Sequence, residues 1–329
     1  MPPGVTILLE SLSAIDLAWW LMLVALLLDR LLGELRCWHP LVGFGRAVDA
    51  VEKRFNREVS SVPGSDSGLQ LRLHGTAAML LLVGLPVLAV VWLLQLFESG
   101  WWLQLVGLYF CIGRQSLVEH ARAIALPLLA GDFAQARLRT SYIVSRNTES
   151  MDEADISKAT VESVLENGND ACFTTLFWFA VAGLPGALAH RLVNTLDAMW
   201  GYRTPQYLHF GWAAARFDDL LAWLPARLCA LSYALVGQTR KALTCWRQQA
   251  PLYDSPNGGP TMAAGAGALA ITLGGAAVYQ GKLKQRTVLG CGPAAQAVDI
   301  ERSLQLFNRA LLLWLLVAGG CYLLASGMA

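Results

Sequence analysis

The chain has 329 residues, 55% of them apolar and 15% charged, with a mean hydropathy of +0.44; soluble domains carry about a quarter charged residues, so this is the composition of a membrane protein. A net charge of +1 supplies no global field for nucleic acid, and no helix-turn-helix, zinc-finger or RNA-binding signature stands in for one. Seven cysteines, at 37, 111, 172, 229, 245, 291 and 321, are odd in number and form no C-x-x-C pair, which argues against a disulfide framework or a zinc site.

The first fourteen residues contain no Lys or Arg, and no small-residue cleavage pattern follows the first apolar run, so that run is read as a retained segment. A membrane helix needs about 20 mostly apolar residues. Residues 14–32 supply the first predicted span, with Asp29 and Arg30 at its end. Residues 77–97 supply the second despite Gly84 and Pro86, 100–114 a short third, and 308–325 a fourth anchored by Arg309. Only residues 60–68 have the Ser/Gly/Pro texture of a linker. No internal repeat is visible and strand-like alternation is scarce, so the whole chain is read as helical. The predicted fold is an all-α polytopic integral membrane protein, one membrane-embedded domain over 1–329. It has about four spans, large helical cytoplasmic loops and a catalytic portion at 114–302.

Cytoplasmic loops collect Lys and Arg. Residues 33–76 contain six, 114–170 six and 191–302 eleven, whereas the N-terminus, the link at 98–100 and the C-terminal tail contain none. That asymmetry puts both termini outside and every long loop in the cytoplasm, and locates the protein in the inner, cytoplasmic membrane. Two further apolar stretches, 173–189 and 262–278, are flanked by cations on both sides. They are expected to be re-entrant, interfacial or buried in a cytoplasmic helical portion; crossing as a pair is the alternative the counts disfavour. The Gly- and Ala-rich texture of 263–277 suits close helix contact.

Three polar clusters carry the chemistry. In SRNTESMDEADISKATVESVLENGND, at 145–170, Ser150 or Asp152 can cap a helix on which Glu162, Glu166 and Asp170 fall in steps of four along one face. A solvated face shows the same spacing, but like charges so placed repel unless a cation lies between them. In RLVNTLDAMWGYR, at 191–203, Asn194 and Asp197 lie one turn apart, as an interhelical hydrogen-bonding pair or as oxygen ligands for Mg²⁺ shared with a phosphate. In ARFDDLLAWLPARL, at 215–228, Arg216, Asp219, Trp223 and Arg227 approach one helix face, with Asp218 beside them. Arg216 and Asp219 are close enough to pair, and charges buried beside lipid without partners cost several kcal/mol, by about +2.5–3.5 on insertion scales. YDSPNGGPTMAAGAG, at 253–267, is a Gly-rich turn entering a helix with Ser255 and Asn257 as caps and donors. Such a start can bind an anion or simply pack glycines, and it matches no nucleotide motif. Five histidines form no H-E-x-x-H and no G-x-S-x-G occurs; His39, alone in CWHPLVGFGR, is read as structural. Carboxylates with an Asn for Mg²⁺ and arginines for phosphate or carboxylate suit phosphoryl or acyl-phosphate chemistry.

These pieces also carry a resemblance. LLLDRLLGELRCWHPLVGFGR at 26–46, SRNTESMDEADISKATVESVLEN at 145–167, GLPGALAHRLVNTLDAMWGYR at 183–203, FGWAAARFDDLLAWLPARL at 210–228 and SPNGGPTMAAGAGAL at 255–269 are collinear and span most of the chain. Together they resemble the adenosylcobinamide-phosphate synthase family, the CbiB/CobD-type membrane proteins of cobalamin biosynthesis. The resemblance implies a carbon–nitrogen ligase that uses ATP and Mg²⁺ to join a propionate carboxyl of adenosylcobyric acid to an amino-alcohol phosphate such as 1-aminopropan-2-ol phosphate. Carried over by position, the motifs fall on Glu162, Glu166, Asn167 and Asp170, on Asn194 and Asp197, on Arg216, Asp218, Asp219 and Arg227, and on Ser255 and Asn257. Within that set Glu162, Glu166, Asp170, Asp218 and Asp219 are the expected catalytic carboxylates, with Glu166 or Asp170 as base for the amine. Asp197, Asp218 and Asp219 are the expected metal ligands; Arg146, Arg203, Arg216 and Arg227, with Asn167, Asn194, Ser255 and Asn257, are expected to bind substrate. The expected partners are the corrinoid, the amino-alcohol phosphate, ATP and membrane lipid, without nucleic acid and with a homo-oligomer left open. The family pattern E-N-T-x-D followed by P-L-F is replaced here by Glu166-Asn167-Gly168-Asn169-Asp170 and then Thr175-Leu176-Phe177. That departure keeps open an AmpE-like signalling protein without ligase activity. An Mg²⁺-dependent membrane prenyltransferase, which also uses Asn/Asp clusters, is the other alternative.

Overall fold

Long apolar runs with capped ends fold as helices throughout this chain. The computed structural model describes residues 3–34, 39–56, 67–97, 100–144, 146–279 and 282–327. Among them lie α1 (Pro3–Leu32), α2 (Pro40–Phe55), α3 (Ser67–Leu96), α4 (Trp101–Cys111), α5 (Arg114–Leu129), α6 (Phe133–Thr140) and α7 (Glu153–Gly168). A π-helical segment, Asn169–Thr174, joins α7 to α8 (Thr175–Trp200), and α9 (Trp212–Val236), α10 (Thr239–Gln249) and α11 (Gly258–Leu269) follow. Four three-residue strands, β1 (Thr272–Gly274), β2 (Ala277–Tyr279), β3 (Lys282–Lys284) and β4 (Val288–Gly290), precede α12 (Ala297–Gly327). Side-chain caps start several helices: the Asp152 carboxylate accepts the Asp155 N–H at 2.8 Å before α7, and His39 Nδ1 accepts the Leu41 N–H at 3.3 Å before α2, with Pro40 at the first helical position.

Among the described residues four helical stretches are long and apolar enough to cross a membrane: Gly68–Leu96, Glu153–Trp200, Trp212–Val236 and Ala297–Cys321. Within its most apolar window the first is only 11% buried in protein, and Leu80, Leu81, Leu85, Leu88 and Trp92 stand exposed along it. An apolar helix so little covered is a lipid-facing one. The windows in Glu153–Trp200 and Trp212–Val236 are about half buried, so these helices face protein as well. The protein is therefore an all-α polytopic membrane protein. Predicted segment 14–32 ends α1, 77–97 lies largely in α3 and 308–325 lies in α12, while α4 has 11 residues.

The chain forms two compact units. One comprises Met1–Ile112 with Thr174–Ala222, the other Gly113–Phe173 with Trp223–Ala329. In the first, Val48 of α2, Ala78 and Met79 of α3, Leu196 and Trp200 of α8, and Phe210, Ala213 and Ala214 form a buried core, with Trp200 edge-on to Phe210 at 4.8 Å between ring centres. Helix α8 breaks within this unit at Ala182 and Gly183. Gly183 has φ +62°, a left-handed backbone that glycine adopts without steric cost, and Pro185 follows. In the second unit Phe173 packs edge-to-face on Tyr233, Phe307 and Trp314. All twelve residues of α11 are buried, and its glycines let neighbours approach: a Cβ on Gly265 would meet Leu165 of α7, and one on Gly267 the backbone of Ala242 in α10.

Residues 262–278 differ from the expected continuous apolar segment. Helix α11 ends at Leu269 because Ala270 turns left-handed, at φ 56° and ψ 47°. The chain then forms β1, which pairs antiparallel with β4, and β2, which pairs with β3. These short pairs are the departure from a wholly helical chain. Their signal in the sequence is weak because each strand is three residues long, too short to show alternation.

Candidate functional site

The second unit contains a polar pocket of about 180 Å³ built on α7. Steps of four on an α-helix put Glu162 and Glu166 on one face, and both line it, together with Ser163, Asn167, Arg146, Tyr253 and Arg286. Glu162 is the best-held group. Its Oε1 accepts the Gly274 N–H at 2.8 Å and Arg286 Nη2 at 2.9 Å. Its Oε2 accepts Arg146 Nη2 at 2.9 Å and Arg286 Nη1 at 3.0 Å. Arg286 thus grips the carboxylate with both arms of its planar fork, the strongest geometry available to such a pair. The side chains of Arg146, Glu162 and Arg286 are 5%, 7% and 9% exposed, so water screens these contacts little. Asn167 Nδ2 donates to Ser163 Oγ at 2.8 Å, and that contact orients its amide.

Glu166 reaches from the same face toward the SPNGG turn. A Cβ on Gly258 would sit 2.6 Å from Glu166 Oε1 and 3.3 Å from Ser255 Oγ, so the glycine makes room for the carboxylate at the start of α11. Ser255 Oγ accepts the N–H of Gly258 at 3.0 Å. Arg227 is tied to this turn as well: Nη1 donates to Asn257 Oδ1 and Nη2 to the Pro256 carbonyl, each at 3.4 Å, while Nη1 also donates to the Trp223 carbonyl at 2.6 Å. Its guanidinium lies 4.1 Å from the centre of the Trp223 ring. Asp170 does not line the pocket. The α-helical register ends at Gly168 and Asp170 belongs to the π-helical segment, where wider turns take it off that face. Its Oδ1 accepts Asn169 Nδ2 at 3.0 Å.

The remaining expected site residues lie in the first unit. Asn194 of α8 donates through Nδ2 to Asp218 Oδ1 of α9 at 3.2 Å. Asp197 lies one turn beyond Asn194, and a Cβ on Gly201 would run into its carboxylate. Arg216 and Asp219 form the pair the sequence suggested, at 3.8 Å with side chains 64% and 33% exposed, a contact contributing about 0–1 kcal/mol. Arg203 is exposed. Among the described residues no three His, Cys, Asp or Glu side chains cluster as a metal cage. Mg²⁺ carried with a phosphate needs only about one or two carboxylates from protein; in this pair Asp218 is the carboxylate, and Asn194 turns its Nδ2 donor toward it.

Sequence reasoning did not single out Arg286. It lies 124 residues beyond Glu162, in a segment without a motif, and its pairing with a helix carboxylate has no local signature.

The family described as CobD/Cbib protein matches residues 22–307. This chain belongs to the CobD/CbiB family. Similar to it are the cobalamin biosynthesis proteins CobD of Chromobacterium violaceum, 53% identical over 88% of this chain and 92% of that protein, and of Stutzerimonas stutzeri, 53% identical over 89% and 94%. The CobD of Rhodobacter capsulatus is 36% identical over 91% and 96%. No solved structure matches the chain. The CobD/CbiB match covers α2 to α11 entirely and so includes the Glu162 clamp, the SPNGG turn and the Asn194–Asp218 contact. The family is one of cobalamin biosynthesis.

Proposed function

We propose that this chain is an ATP-dependent amide ligase of the inner membrane, facing the cytoplasm, that joins adenosylcobyric acid to an amino-alcohol phosphate to give adenosylcobinamide phosphate. A propionate carboxylate oxygen attacks the γ-phosphorus of ATP, and ADP leaves. The resulting acyl phosphate is attacked at its carbonyl carbon by the amine of the amino-alcohol phosphate, which has given one proton to a carboxylate, and inorganic phosphate departs with the C–O electron pair and takes up the second proton that the nitrogen loses on becoming an amide. Guanidinium groups of Arg146, Arg216 and Arg227 hold phosphates, and Glu166, which lines the α7 pocket where Asp170 does not, accepts the amine's proton. Asn194, Asp197, Asp218 and Asp219 would hold Mg²⁺, which offsets the negative charge of the transferred phosphoryl group.

One observation carries this reading: the α7 pocket places a fixed pair of guanidinium groups and a carboxylate around one small polar cavity, as a ligase for a charged amine and a phosphate requires. Membership in a cobalamin-biosynthesis family supports the corrinoid as the acyl donor. Protein purified in detergent and supplied with adenosylcobyric acid, ATP, Mg²⁺ and 1-aminopropan-2-ol phosphate should form adenosylcobinamide phosphate, detected by mass. Folded protein that yields no such product refutes the proposal.

A further inference from the structure

The first unit carries an apolar groove of about 260 Å³ between α2 and α3. Val51 and Phe55 of α2, one turn apart, form one wall, and His74, Ala78, Leu81 and Leu85 form the other as a stripe along α3. Its floor is the outer surface of the core, since Val51, Ala78 and Leu82 belong to both. Leu81 and Leu85 are 58% and 63% exposed, so the groove opens onto the lipid-facing side of α3. Water is a poor filling for it: a held water needs about two to four polar partners, and among the described lining residues only His74, at one end, is polar.

Eleven residues separate His74 from Leu85, a rise of about 16 Å along a helix. One leaflet is about as deep, since the whole hydrocarbon core is about 30 Å thick. Helix α3 changes character at the same place, with Gln70, Arg72 and His74 preceding an apolar run over 77–94. The His74 end of the groove thus lies at the polar boundary and the Leu85 end in hydrocarbon. Phe55 meets the His74 ring edge-on at 6.2 Å, which brings the last turn of α2, with Lys53 and Arg54, to that boundary. Arg54 is exposed and, three residues from Val51, sits on the groove side of its helix. The nearby carboxylates turn elsewhere: Asp49 falls on the opposite side of α2 from Val51, and Glu52 Oε1 accepts Gln206 Nε2 at 2.8 Å and the Tyr207 hydroxyl at 3.0 Å.

We propose that this groove holds one acyl chain of an anionic phospholipid, with the headgroup phosphate beside Arg54. Lipid tails are as apolar as leucine, so burial alone does not favour the groove over the surrounding bilayer. Selection comes from the second wall, which packs the chain against α2, and from the cationic end that meets the phosphate.

The test uses the full chain in phosphatidylcholine nanodiscs that contain a small share of phosphatidylglycerol with a diazirine on its acyl chain. After irradiation, labelled residues are read by peptide mass spectrometry. Label should concentrate on Val51, Phe55, Leu81 and Leu85, and be weaker on Leu80 and Leu88, which are exposed on α3 but do not line the groove. Ala77→Trp fills the groove from its open side and should remove that excess. Arg54→Gln should lower labelling by the phosphatidylglycerol probe about fivefold and leave labelling by the matching phosphatidylcholine probe unchanged. In detergent, added phosphatidylglycerol should raise the Tm of wild type, because a ligand bound only by folded protein stabilises it, and should not raise that of Ala77→Trp. If Ala77→Trp does not fold, the labelling pattern of wild type and the Arg54→Gln comparison decide. Even labelling of Leu80, Leu81 and Leu88, equal labelling of wild type by the two probes, or cross-links between two copies of the chain at Leu81 would overturn the proposal.

Discussion

Replacing Glu162 by Gln isolates the clamp. The substitution keeps the side chain's volume and one acceptor oxygen but removes the charge and turns an NH₂ toward donors that now hold Oε1 or Oε2. Because all three side chains are less than a tenth exposed, the two guanidinium groups face each other with little screening. Breaking a buried pair by removing one partner costs about 3–5 kcal/mol; the retained acceptor puts this case near the lower end. For chains of 150–250 residues 1 kcal/mol moves Tm by about 2–4 °C, and less for longer ones, so a fall of roughly 5 °C follows. Thermal unfolding of detergent-solubilised wild type, Glu162→Gln, Arg286→Gln and the double variant measures it. The double variant should lie above the sum of the singles by a coupling of about 1–3 kcal/mol. A Glu162→Gln variant within about 1 °C of wild type, or strict additivity, would show that the clamp contributes nothing of this size.

Other outcomes follow from the same contacts. Gly258→Ala puts a methyl where Glu166 Oε1 needs the space; a carboxylate displaced by about 1 Å costs on the order of 100-fold in rate, so kcat for ligation should collapse while Tm changes little, and an unchanged kcat would contradict the placement of Glu166. Asp219→Asn should abolish ligation while the protein still fractionates with the membrane; full activity would remove Asp219 from the site. Burial lowers the pKa of His39 below its ordinary 6.5, outweighing Glu34, which raises it, and joined by Arg191. The unfolded chain therefore takes up a proton below about pH 6.5 that the folded chain does not, and stability falls as pH drops through that value. His39→Asn keeps a cap and removes the proton, so Tm measured at pH 7.5 and 5.5 should differ less than in wild type; an equal difference refutes the effect.

Two of the span-length helices were legible because their apolar runs need no tertiary context: α3 and α12 contain the segments expected, whereas Glu153–Trp200 and Trp212–Val236, broken in sequence by charged residues, were not expected as spans. Capping was legible for the same local reason at α7, where Asp152 is the cap out of the two residues expected; the cap that His39 supplies to α2 was not expected, because a lone histidine reads as structural. The shared face of Glu162 and Glu166 was also visible, since a four-residue step is a property of the helix itself. Asp170 follows the same step in sequence but not in space, because the switch to π-helical turns after Gly168 leaves no mark that spacing alone reveals. The strands at 272–290 hide in three-residue lengths between glycines. Arg286 was invisible because its partner lies far away along the chain, and only folding brings the two together.

Transfer of oxygen isotope tests the central claim most directly. Adenosylcobyric acid labelled with ¹⁸O at both oxygens of the reacting carboxyl is converted by the purified protein with ATP, Mg²⁺ and 1-aminopropan-2-ol phosphate, and the products are weighed by mass spectrometry. Activation through an acyl phosphate predicts adenosylcobinamide phosphate retaining one labelled oxygen and inorganic phosphate carrying the other. Product accompanied by unlabelled phosphate would contradict the activation step, and folded protein giving no product would contradict the ligase assignment itself.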